Sequence, residues 1–78
     1  MAFFFFIWDD DVLEKLAIRE ISMDDVEEII SHPDQVTISH SSGRPVAIGF
    51  TAAGRRLFCV YELIDDETVQ PFSVFEIE

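Results

Sequence analysis

Apolar positions along this chain change their period twice. From position 3 to position 8 they are continuous, Phe3-Phe4-Phe5-Phe6-Ile7-Trp8, a run that predicts a strand covered on both faces. Asp9-Asp10-Asp11 then supplies a helix cap and negative charge at the positive end of a helix dipole. Val12, Leu13, Leu16 and Ala17 recur at helical spacing, which predicts a helix reaching about Arg19 or Glu20. Ser22 restarts a helix, with Asp25 in the place of a capping-box acid. Met23, Val26, Ile29 and Ile30 make one apolar stripe, while Asp24, Glu27 and Glu28 face water. His32-Pro33 ends this second helix, because the residue before a proline resists the helical region.

Beyond Pro33 the period becomes two. Val36, Ile38 and His40 alternate with Thr37 and Ser39, and Ser41-Ser42-Gly43 is a turn signal. Val46, Ile48 and Phe50 alternate with Ala47, Gly49 and Thr51. Ala52-Ala53-Gly54 turns the chain again, and Leu57, Cys59, Tyr61 and Leu63 oppose Phe58 and Val60. After the acidic turn Asp65-Asp66-Glu67 comes a last strand at about Thr68–Ile77. Its Pro71 points to an edge position or a bulge. The order is β-α-α-β-β-β-β. Short turns between the last four strands require an antiparallel meander, and the helical pair must cover one face of that sheet. The expected fold is a two-layer α+β domain spanning residues 1–78.

Composition narrows the function classes. Hydrophobic residues make up 49% of the 78 positions and include eight Phe, enough for one compact core. Sixteen acids against five bases give a net charge of −11. That balance disfavours non-specific RNA binding, which relies on neutralising phosphates, and suits a basic partner. Residues 1–39 hold ten of the acids and two of the bases, so the acidic surface belongs mostly to the first half. The single Cys59 excludes an internal disulfide and a multi-cysteine zinc site, and fits a reduced, cytoplasmic setting. The aromatic run at 3–8 has no basic leader and is too short for a signal or a membrane span, so no membrane is expected. Asp9 to Asp11 with Glu14 lack the glycine-containing spacing of a cation loop, and neither metal nor cofactor is expected.

Several local phrases resemble the BrnT-like toxins, a branch of the RelE/ParE-like fold found in bacterial toxin–antitoxin pairs. They are Ile7-Trp8-Asp9, the run from Arg19 to Glu28 that opens the second helix, Pro33 after it, Ala47-Ile48-Gly49-Phe50-Thr51 and Gly54-Arg55-Arg56-Leu57. The resemblance covers almost the whole chain through short, mainly structural phrases. It implies a RelE/ParE-like fold, an antitoxin-like protein partner, and a metal-independent endoribonuclease, degenerate or atypical in form. On that model cationic side chains hold the scissile phosphate while another group moves protons. Lys15, Arg19, Arg55 and Arg56 would then contact phosphate, and His40 or Tyr61 would transfer the proton. Three departures from the family pattern stand in the chain. Arg19 replaces a histidine, Glu20 replaces a helix-ending glycine, and residues 71–78 contain no Lys or Arg where the family has a basic run.

Each candidate also has a plainer role. Lys15 and Arg19, four residues apart, share a helical face and can pair with Asp11 and Glu14. Arg44 and Arg55 stand at opposite ends of the third strand, some 20 Å or more apart at about 3.3 Å per residue. Arg55 and Arg56 are adjacent and would point to opposite faces. His32 fits a helix end and His40 a solvated strand end, while Tyr61 follows the packing alternation of Cys59 and Leu63. The other reading is therefore a non-catalytic interaction module, for which a homodimer is one expected form. Its aromatic first strand and Phe-rich last strand carry more apolar surface than a small core can cover.

Overall fold

The computed structural model describes residues 4–77, so the expectations for Phe3 and Glu78 lie outside the described residues. Seven elements follow the expected order: β1 (Phe5–Phe6), α1 (Asp10–Ile18), α2 (Met23–Ser31), β2 (Gln35–Ile38), β3 (Pro45–Phe50), β4 (Arg56–Leu63) and β5 (Thr68–Ile77). They build a five-stranded mixed sheet in the order β1-β5-β4-β3-β2, with β2 to β5 an antiparallel meander and β1 parallel to β5. The fold is α+β in two layers.

Both helices begin as their caps dictate. Asp9 is the N-cap of α1 and its carboxylate accepts from the Asp11 N–H at 3.2 Å. Ser22 caps α2 through a bond from the Asp24 N–H at 3.1 Å, so the hydroxyl serves the second helical residue rather than completing a box with Asp25. At the other end of α1, Glu20 takes a left-handed conformation, φ 57°. The Glu20 N–H donates to the Ala17 carbonyl and the Ile21 N–H to that of Leu16, while Leu16 and Ile21 are both buried in the core. This is a Schellman ending with glutamate in the position glycine usually fills.

The main core lies between the helices and one sheet face. Leu16, Ile21, Val26, Ile29 and Ile30 meet Ala47, Leu57, Cys59, Val69 and Val74. Met23 is mostly outside this stripe, at its exposed margin. Small residues on β3 set how closely α2 approaches. A Cβ placed on Gly49 would lie 3.2 Å from Cγ2 and 3.3 Å from Cγ1 of Ile29.

Two expectations change. The aromatic run is not covered on both faces: Phe4, Phe6 and Trp8 pack on the core, but Phe5 is 67% exposed and Ile7 is exposed. As β1 is an edge strand two residues long, one face has nothing to cover it. The second strand ends at Ile38, leaving His40 in the turn, and Val36 and Ile38 are exposed because β2 overhangs the helical layer at the other edge. Pro71 stands at a bulge, one of the two settings expected of it, beyond the two β5 residues that β1 pairs among the described residues. The register slips between Val60 and Tyr61, which oppose Ser73 and Pro71, so Phe72 is the extra residue.

Gly49→Ala is expected to lower stability by about 1–2 kcal/mol, since buried Ile29 must yield to the added methyl. Urea denaturation of the two proteins would reveal it as a lower midpoint with an unchanged slope.

Candidate functional site

The cationic candidates divide between the two faces of the sheet. On the helical side, Arg19 and Arg55 both reach the outer edge of β5. Arg19 Nη1 donates to the Val74 carbonyl at 2.6 Å. Arg55 Nη1 donates to the Glu20 carbonyl at 2.6 Å and Nη2 to the Arg19 carbonyl at 3.1 Å. Its Nε and Nη2 also bind Glu76 Oε1, at 3.2 and 3.0 Å. Four of the five guanidinium donors are thus engaged by protein acceptors. Two of those acceptors are carbonyls at the end of α1, where a cation favourably meets the helix dipole. The pair behaves as a clamp joining α1 to β5.

Arg56 and Arg44 lie on the other side. Alternation along β4 sends Leu57 and Cys59 to the core and Arg56, Phe58, Val60 and Glu62 to the face without helices. Arg44 stretches across that face and its guanidinium carbon sits 4.0 Å from the ring centroid of Phe72, a cation–π contact. Arg44 Nε is buried and makes no hydrogen bond. Lys15 is exposed on α1, and among the described residues it pairs with neither Asp11 nor Glu14. Arg19 and Arg55 are brought together, then, while Arg44 and Arg56 lie on the opposite face of the sheet.

The two proton-transfer candidates also part company. Tyr61 packs against the main core, where burial pushes its phenol up from the ordinary value. His40 is exposed in the β2–β3 turn on the open side. His32 stands at the end of α2, 3.8 Å from Glu28, as its helix-end reading expects. Asp9 to Asp11 act in capping, and among the described residues there is no cluster of three metal-ligating side chains.

What sequence reasoning passed over is the open face as a surface. Val46, Ile48 and Val60 form a second small core there, with Phe58 and Ile77 packed on it. Phe58 and Phe75 stack at 4.9 Å between ring centroids. Around them Phe50, Phe72 and Phe75 remain 58%, 49% and 37% exposed. The bulge is responsible for Phe72, because two successive residues, Phe72 and Ser73, line the same side. Between these rings and the turn residues Ser39 to Ser42 lies a hollow of about 440 Å³ with an apolar floor. Pro71 was the signal that could have located it.

No protein-family model matches this chain, and no curated protein or solved structure shows a significant match to it.

Replacing Arg55 by alanine frees two helix-end carbonyls and Glu76, and is expected to cost about 2 kcal/mol. Arg56→Ala should stay within about 0.5 kcal/mol of the parent. Chemical denaturation of both variants checks the contrast. A second expectation concerns Cys59, fully buried, whose thiol burial pushes up from 9.0 to about 12. The folded state holds the proton more tightly than the unfolded state. Its contribution to stability is therefore complete below pH 9 and is lost as pH rises through about 12. Unfolding midpoints measured upward from pH 8 should fall, and Cys59→Ala should fall less steeply.

Proposed function

We propose that this chain is a small protein-interaction module on a BrnT-like, RelE/ParE-type fold, and that it docks a protein on the open face of its sheet. One observation carries the reading: Phe50, Phe72 and Phe75 stay exposed on a face that already has its own buried cluster. At 150–250 Å² per ring, these fractions leave on the order of 300 Å² of aromatic surface in water. A patch of that size on a small monomer is commonly a functional one. The helical layer, which carries Asp9 to Asp11, Asp24, Asp25 and Glu28, offers a separate acidic surface suited to a basic protein such as an antitoxin-like partner.

A second reading, a degenerate metal-independent ribonuclease, draws support from the shared position of Arg19 and Arg55 beside Val74 and Glu76. In that reading an RNA phosphate replaces the Glu76 carboxylate on Arg55, and Tyr61 or His40 reaches it only after rearrangement.

A fluorescent apolar dye separates the readings without knowing the partner. The folded protein should bind it, and the triple change Phe50→Ser, Phe72→Ser, Phe75→Ser should abolish binding while moving the melting temperature by less than about 4 °C. Loss of the fold in the triple variant, and also in Phe50→Ser alone, would mean that these rings serve the core and not a partner. Labelled single-stranded RNA should remain uncut. Metal-free cleavage that disappears in Arg55→Ala and persists in Arg56→Ala would favour the ribonuclease instead.

A further inference from the structure

The open face carries its charges in an order that matches itself reversed. Along β4 the residues on this side read Arg56, Phe58, Val60, Glu62, a cation and an anion at the ends of an apolar pair. Among the described residues neither Arg56 nor Glu62 has an ion-pair partner. The six-residue separation places them about 20 Å apart at roughly 3.3 Å per residue. The exposed features show the same polarity. Phe50 projects from β3 level with Arg56, and the turn from Ser39 to Ser42 that walls the hollow stands at the opposite end of β3.

We propose that the occupant of the open face is a second copy of this chain, related by a two-fold axis that lies in the interface across β4. This rests on the docking reading above and names its partner. Under that axis β4 crosses its copy antiparallel, so Arg56 of each chain meets Glu62 of the other and Phe58 and Val60 fall at the centre. A two-fold axis along the strands would instead bring Arg56 against Arg56, which like charges forbid. The same operation carries Phe50 over Arg44 of the second copy, whose guanidinium lies on that copy's Phe72 ring, and Ile77 over Gln70. Each chain supplies one projecting ring and receives one, as an isologous interface demands. Arg44, with its Nε already lacking a partner, then lies between Phe72 and the incoming chain.

Two facing sheets pack about 10 Å apart with strands rotated by about 30°. Twice the aromatic surface given above is about 600 Å², half of the roughly 1,200 Å² at which specific interfaces begin, so the polar rim supplies the rest and the contact belongs with weak, transient ones. Dimerisation is therefore expected in the micromolar range. The acidic helical layers face outward on opposite sides, which keeps most of the −11 charges of each copy away from the contact.

Sedimentation equilibrium of the full chain tests this directly. The parent should pass from monomer to dimer across micromolar concentrations. Arg56→Glu and Glu62→Arg should each weaken self-association by roughly tenfold or more, and an equimolar mixture of the two should restore a dimer, now of unlike chains. Restoration in the mixture also demonstrates that both variants are folded. A dimer indifferent to both reversals would overturn the arrangement. A parent that stays monomeric to millimolar concentration overturns self-pairing; if it still binds the apolar dye the docking reading stands, and if it binds none both fall.

Discussion

Two helices of nine residues, each about 14 Å long, must cover a sheet five strands wide. At about 4.8 Å between strands the sheet is some 19 Å across, so the helices cover one face and leave both margins bare. The exposed Val36 and Ile38 at one edge, and Phe5 and Ile7 at the other, follow from that shortfall. So does the character of the opposite face. Its strands alternate apolar with apolar, and among the described residues no helix or strand lies over Val46, Ile48, Val60 and the rings around them. The molecule protects this face partly with its own devices: an arginine laid flat on Phe72, a stacked Phe58–Phe75 pair, and a turn that leans over the sheet.

The positive charges follow the same economy of cover. With five cationic side chains in an acidic molecule, two are committed to the place where α1 ends beside an unprotected stretch of β5. The outer edge of β5 pairs with β1 only at Thr68 and Val69, and the Arg19 bond to the Val74 carbonyl satisfies part of what remains. Arg55 joins the left-handed Glu20 to Glu76, so the turn without a glycine is held by a side chain from another strand. The cost of a non-glycine left-handed residue, roughly 1 kcal/mol, is of the order that such a charge-assisted bond contributes.

Much of this was legible in the residues. Asp9 and Ser22 announce helix starts, His32-Pro33 announces an end, and the last strand runs from Thr68 to Ile77 as expected. Alternation could not say which set of β3 residues faces the helices. Ala47 and Gly49 do, because a close helix needs small neighbours, and the larger Val46 and Ile48 go to the other side. Nor could order along the chain foretell the clamp. Arg55 meets Glu20 and Glu76 across 35 and 21 positions, contacts that exist once β1 and β4 both flank β5. The continuous aromatic run misled because an edge strand of two residues has the composition of a buried one. The Phe-rich last strand did signal surplus apolar surface, while the shape of that surface depended on a single slip in register.

That slip has a consequence for how the last strand can change in length. Residues on either side of Phe72 keep opposite parity, so Val69 and Val74 both enter the core although five positions separate them. Loss of Phe72 itself would leave every other ring and valine on its present side and merely straighten the ribbon. Loss of a neighbour beyond it, with the bulge retained, would exchange interior for exterior all the way to Ile77, turning Phe75 toward the helices and Val74 toward water. The strand thus contains one position where a deletion is a local event, and it is the position that supplies the exposed ring.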